Sequence, residues 1–192
     1  MGAERDDSVD LDVSRERLLG GFLATVRQAR EHLSALSPDE ARRPLPRERS
    51  SGGWSTRQVV GHLVDSWLNN HRRLVEAQQK DDLCFPGYDQ DAWERAQDFQ
   101  AADWAGLVAL WAGGQEHFVH VAERVAPQVW SRPRHPHSLD RIAWEVVPAE
   151  EPVSLAYLVH DYVGHHLHHL RQIDPRLASE PIRQRGGTLR GS

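Results

Sequence analysis

The chain is poor in sulfur, with one cysteine, Cys84, and one methionine in 192 residues. A lone cysteine excludes an internal disulfide and any zinc knuckle built on thiolates, and it suits a reducing compartment. Basic residues are outnumbered, 23 Lys and Arg against 28 Asp and Glu, for a formal net charge of -5. With no basic field to neutralise a phosphate backbone, nucleic acid is not an expected partner. No apolar run approaches the roughly 20 residues that cross a bilayer. The opening MGAERDDSVD is acidic where a secretory signal has a basic start and an apolar stretch. The expectation is a cytoplasmic protein without membrane contact.

What the chain does have is 39% hydrophobic residues, enough for one core, and twelve histidines. Residues 1–13 are polar and acidic, and residues 180–192 are rich in glycine and arginine. Both read as flexible tails around a single domain over 14–179. From Ser14, read as an N-cap, Leu18, Leu19, Phe22, Leu23, Val26, Ala29, Leu33 and Leu36 recur at helical spacing up to Pro38. A second helix runs through WSTRQVVGHLVDSWLNNHRRLVEAQ, with Ser55 or Thr56 as cap. After a loop and a short helical piece, DWAGLVALWAGGQEHFVHVAERV makes a third, weakened by Gly113 and Gly114. Ser154 opens a fourth that ends before Pro175. Residues 128–151 have strand-like content at Val129, Trp130 and 142–147, which predicts a small hairpin or an irregular insertion before the last helix. Together these give an all-α, up-and-down four-helix bundle.

The last helix carries HHLHHLRQI, four histidines in five residues. At about 100° per residue, Leu155, Val159, Tyr162, His166, Leu170 and Ile173 form its core stripe. His165 and His169 lie together on one flank, His168 lies outside and His160 lies beyond the other edge. The i, i+4 spacing of His165 and His169 lets two imidazoles reach one ion. In the second helix His62 lies on the flank of a core side defined by Val59, Leu63, Leu74 and Ala77, with Asn69 and Arg73 further along. A bundle interior can join His62 to the pair and leave a fourth coordination position open. Taken singly, a histidine on a core flank is more often a packing residue than a ligand.

Three segments in order, WSTRQVVGHLVDS (54–66), GYDQDAW (87–93) and HHLHHLRQI (165–173), resemble the DinB-like metalloenzyme superfamily and its YfiT-like branch. The first follows that branch's W-x-x-R-Q-x-x-x-H-x-x-D-S pattern and the last its H-x-x-H-H-x-x-x-I pattern. The resemblance implies a four-helix bundle with a three-histidine metal site, and residue by residue its ligands fall on His62, His165 and His169. It also implies a homodimer. Gln172 is a departure, since close YfiT-like sequences tend to carry histidine there.

Three neutral imidazoles leave the charge of a divalent ion uncompensated, so a bound water is acidified toward a pKa of about 7, and a bound thiol likewise. Zinc is the default metal and nickel the alternative. Two reaction classes use this property. The resemblance suggests a thiol S-transferase, in which a small thiol such as bacillithiol, mycothiol or glutathione attacks an electrophilic substrate. The alternative is a metal-dependent hydrolase that uses activated water. A non-catalytic, metal-stabilised bundle is the third reading. Asp65, three residues after His62, and Asp161, four before His165, are candidates to orient ligand imidazoles or else ordinary solvated carboxylates, and Gln172 is a candidate to bond an imidazole or bound water or else a plain rim residue. Asn69, Arg73 and Tyr88 are candidates to contact the thiol, although for Arg73, about 16 Å along the helix from His62, a structural salt bridge is the better expectation. Tyr88, Asp89 and Trp93 sit in a loop that could cover the cleft, where aromatic residues more often pack. Nothing beside Cys84 in sequence would lower a thiol pKa, so it is not read as a nucleophile.

Overall fold

The computed structural model describes residues 7–50 and 53–178. Its elements are α1 (Asp7–Ala35), α2 (Pro38–Arg42), α3 (Thr56–Glu76) with a 3-10 turn at Ala77–Gln79, α4 (Gln90–Gln97), α5 (Trp104–Glu123), α6 (Pro127–Ser131), α7 (Leu139–Ile142) and α8 (Leu155–Ile173). The all-α expectation holds, with no strand among the described residues, and the four long helices α1, α3, α5 and α8 form a bundle. Over 128–151 the irregular insertion is found in place of a hairpin. Val129 and Trp130 lie in α6, and backbone pairing is limited to isolated bridges such as that of Arg134 with Val153.

Helix starts follow local chemistry. Ser55 caps α3 in a capping box: its side chain accepts from the Gln58 amide, and the Ser55 amide donates to Gln58 Oε1 at 3.1 Å. The Ser154 hydroxyl accepts from the Tyr157 amide at 3.2 Å and starts α8. The N-terminal boundary differs from the expected one. Helix α1 begins at Asp7, so Ser14 is not its cap. Residues 1–6 of the expected N-terminal tail and the whole expected C-terminal tail, 180–192, lie outside the described residues.

The order of the helices departs from a simple up-and-down path. Helix α1 packs on α5 and α8, and α3 packs on the same two. The Trp104 indole at the start of α5 donates to Leu33 O at the end of α1 (3.1 Å), so these two run antiparallel. Arg57 at the start of α3 donates to Ala102 O just before α5, so α3 and α5 start at the same end and run parallel. His32 near the end of α1 meets Asp174 just after α8 at 4.0 Å, so α1 and α8 run parallel too. The path is up, down, down, up. Residues 77–103 carry the chain back along the bundle before α5 begins, which a short turn could not do. Helices α3 and α8 are left as antiparallel neighbours.

Two glycines allow close contacts, that of Gly61 with the turn before α5 and that of Gly114 with α3. A Cβ on Gly61 would lie 2.2 Å from the buried Phe99 ring, and one on Gly114 would lie 2.6 Å from the Trp67 ring, whereas one on Gly113 would meet nothing within 4 Å. Gly61→Ala is therefore expected to destabilise the fold by about 1–3 kcal/mol through overpacking. Gly113→Ala should stabilise it by about 0.8–1 kcal/mol through helix propensity. Chemical denaturation of both variants checks the opposite signs.

Candidate metal centre

Helix α8 sorts its histidines by face. The stripe Leu155, Val159, Tyr162, His166, Leu170 and Ile173 is buried. His166, fully buried, accepts the Trp111 indole N–H at 2.8 Å and packs edge-on against Phe22. It is a core residue, and burial holds its pKa well below the ordinary value. One flank of this stripe presents His165 and His169 to α3, where His62 is only 4% exposed and packs beside Trp54. His168 is exposed.

The three flank histidines converge. His62 Nε2 lies 3.3 Å from His165 Nε2, and His165 Nε2 lies 3.0 Å from His169 Nε2. One nitrogen of each falls within 4.8 Å of the others. Tetrahedral coordination at metal–nitrogen distances of about 2.0–2.1 Å places ligand nitrogens roughly 3.3 Å apart, so the spacing fits a single ion. The outer nitrogens are also arranged for this. His169 Nδ1–H donates to Gln172 Oε1 at 2.8 Å, which leaves the Nε2 lone pair facing inward. His165 Nδ1 faces Ser66 Oγ at 3.4 Å. Burial keeps the imidazoles neutral: His62 falls to about 4, His169 falls to about 3, and His165 lies well below its ordinary value. Neutral rings with inward lone pairs are the form in which histidine binds a divalent metal.

Beside this cluster is a cavity of about 250 Å³. Its α3 wall is a polar stripe, His62, Ser66, Asn70 and Arg73, and its α8 wall presents Asp161, Tyr162 and His165. Segments 87–90 and 141–144 close it, with Tyr88 and Trp144 among the lining side chains. Asp161 is the one carboxylate among the described residues lining it. Desolvation pushes the Asp161 pKa up to about 6, against the stabilising pull of two backbone amides.

The other expected site residues fall into two groups. Gln172 does bond a cluster imidazole, and its amide also faces His168 Nε2 at 3.2 Å. Arg73 and Tyr88 line the cavity, where burial raises Tyr88 to about 12 and the ring packs on Trp93. Three assignments are corrected. Asp65 is buried and accepts from Gln97 Nε2 at 2.7 Å, holding α4 to α3 with no bond to His62. Asp161 accepts from the amides of Trp144 (3.0 Å) and Glu145 (2.7 Å), so it clamps the cavity wall and does not orient an imidazole. Asn69 donates to Asp65 O at 2.9 Å on its own helix, and Asn70 takes the cavity position. The expected salt bridge of Arg73 is also absent among the described residues; it donates to Asn70 Oδ1 at 3.2 Å and Pro86 O at 2.9 Å. Cys84 is exposed, away from the cavity lining. Sequence reasoning missed Ser66, Asn70 and Trp144. Ser66 had a signal, one turn after His62 on the same face. Trp144 had none, because its position depends on the insertion folding back onto Asp161.

The sequence model of the DinB superfamily matches residues 22–173, a span that holds all three histidines. The chain belongs to the DinB superfamily. Among its relatives is the Bacillus subtilis protein named "Putative metal-dependent hydrolase YfiT", 28% identical over 127 residues, 66% of this chain and 67% of that protein. OB0413 of Oceanobacillus iheyensis, which carries the same hydrolase description, is 26% identical over 73% of this chain and 74% of its own length. The solved structure of B. subtilis YfiT, described as having an unusual four-helix bundle topology, superposes with a TM-score of 0.64. That match covers 92% of this chain and 89% of the other at 22% identity, and it establishes the shared fold. The DinB-superfamily bundle found here has no helix long and apolar enough to cross a membrane among its described residues.

The lowered histidine values set a pH dependence for the protein stripped of metal. Between the ordinary value of 6.5 and about 4, the unfolded chain binds protons that native His62 refuses. Stability is therefore full above that window and falls as pH drops through it. Thermal melts of chelator-treated protein should show this loss on acidification. A His62→Gln, His165→Gln, His169→Gln variant should show a flatter profile, and added zinc should raise the melting temperature of the wild type alone.

Proposed function

We propose that the protein is a metal-dependent hydrolase of small esters or amides. The observation that carries this reading is one cavity lined by two imidazoles of the three-histidine cluster, His62 and His165, and by a single carboxylate whose pKa is pushed up to about 6. His62, His165 and His169 would hold the metal, zinc by default with nickel as the alternative. A divalent ion held there would lower the pKa of a water in the cavity toward about 7 and polarise a carbonyl.

The chain's own groups do the rest. Each Asp161 oxygen accepts one backbone amide, which aims the carboxylate and leaves further lone pairs free. It takes the proton of the attacking nucleophile and returns it to the leaving group, with a pKa close to the operating range of a general base. Gln172 and Ser66 hold the outer faces of His169 and His165. Tyr88 and Trp144 narrow the access of bulk water. The cavity of about 250 Å³ lies below the roughly 300–1,000 Å³ of sites for drug-sized ligands, so it suits a small substrate. The hydrolase description of YfiT and OB0413 agrees with this reading.

One observation favours thiol S-transfer as a second reading. Both Asp161 oxygens are already engaged, and a thiol such as bacillithiol, ionised at the metal, would attack an electrophile without a base.

The test is a panel of esters and amides offered to zinc-loaded and nickel-loaded protein, with and without a small thiol. Turnover without thiol is expected, abolished in His169→Ala and lowered roughly 100-fold or more in Asp161→Asn. In the wild type the rate should rise as pH passes about 6, where Asp161 ionises. Turnover that requires thiol would move the assignment to the transferase. No turnover in either arm, with metal affecting melting temperature alone, would leave a structural site.

A further inference from the structure

Three arginines among the described residues are buried, Arg57, Arg73 and Arg134. Two of them are staples. Arg57 donates to the carbonyls of Pro38, Gln100 and Ala102, and Arg134 to those of Ala77 and Val129, and neither lines the cavity. Arg73 differs. It is 6% exposed, lines the cavity, and has one backbone carbonyl and one side-chain amide as partners. A guanidinium has five N–H donors, so three bond to nothing among the described residues.

We infer that Arg73 is the recognition group for an oxyanion, a carboxylate or a phosphate, carried by the substrate at the end of the cavity away from the histidines. A buried cation without an ion pair is costly, and an anion arriving in the cavity removes that cost. The groups facing it are accounted for. Asp161 on α8 attracts Arg73, but it forms no ion pair with it and its oxygens hold the amides of Trp144 and Glu145. Tyr88 adds a neutral hydroxyl to the lining, and Arg141, which also lines the cavity, is paired with Asp140 at 3.5 Å. Asn70 accepts from Arg73 Nη1 at 3.2 Å and donates to Ser66 O at 2.9 Å, so the guanidinium is held at the cavity wall by the stripe that begins at His62.

The spacing restricts the substrate. The helical rise from His62 to Arg73 is about 16 Å, and a helical side chain leans back toward the N-terminus, as the bond of Arg73 to Asn70 shows. The anion therefore lies on the order of 10 Å from the group that reacts, at the far end of an extended substrate. In terms of the hydrolase reading, on which this inference rests, the substrate is a small acyl compound with an acidic group beyond the scissile bond.

The experiment titrates zinc-loaded, full-length protein with propionate and with inorganic phosphate by calorimetry, for wild type, Arg73→Gln, Arg73→Lys and Asn70→Ala. At least one probe should bind the wild type, about tenfold or more weaker in Arg73→Gln and partly retained in Arg73→Lys. The probe so affected identifies the oxyanion. Asn70→Ala keeps the charge but removes its positioning partner, so a smaller loss is expected there, and this variant decides the matter if Arg73→Gln does not fold. Equal affinity of wild type and Arg73→Gln for both probes overturns the inference, since an anion held by the zinc alone ignores Arg73. Esters turned over with no oxyanion bound would overturn the subsite and leave the hydrolase standing. An oxyanion held through Arg73 with no ester or amide turned over would support the subsite and overturn the hydrolase reading.

Discussion

Three neutral imidazole nitrogens gathered within 4.8 Å of one another, with that of His165 at 3.3 Å from His62 and 3.0 Å from His169, is the constraint from which the rest of the site follows. Lone pairs so arranged gain nothing from each other. The arrangement is favourable when a cation accepts them, and it requires α3 and α8 to pack side by side with the start of one against the end of the other. The up, down, down, up path brings about that pairing. The parallel α3–α5 contact, made close by Gly114 against Trp67, lines up the other side of α3, so the histidine helix is held from both directions.

The cavity shows how one helix face can serve two purposes. Most of α3 packs apolar residues inward, yet His62, Ser66, Asn70 and Arg73 form a continuous polar stripe beside them. Such a stripe is tolerable in a bundle because it opens onto a cavity and because its members bond to each other or to neighbouring segments. Asp161 has the matching position on α8, and its bonds to the amides of Trp144 and Glu145 tie the insertion to the bundle. The insertion therefore builds a wall of the site, which explains how a segment with little regular structure can be held so close to the chemistry.

Much of the fold was legible in the residues. The capping signals at Ser55 and Ser154 and the apolar periodicity of α8 depend on contacts within a few residues, and the structure contains them as expected. The separation of His166 from His165 and His169 followed from helical phase in the same way. Errors arose where long-range contacts decide. Asp65 and Asp161 have suitable spacing from the histidines, but Gln97 and the 144–145 amides, which no wheel can show, take up their oxygens. Asn69 lies nearer than Asn70 to His62 in helical phase, and the cavity follows Asn70 because segments 87–90 and 141–144 close over that side.

The sequence by itself determined the four long helices, which flank of α8 carries a ligand pair, and that the chain resembles a family with a third histidine on α3. These depend on local backbone preference and on the 3.6-residue turn. Only the tertiary structure decided the helix order, the convergence of His62 on the pair, the clamp role of Asp161 and the burial of Arg73 without an ion pair. Each of these depends on groups distant in sequence meeting in a low-dielectric interior, where desolvation and the geometry of available partners set the outcome.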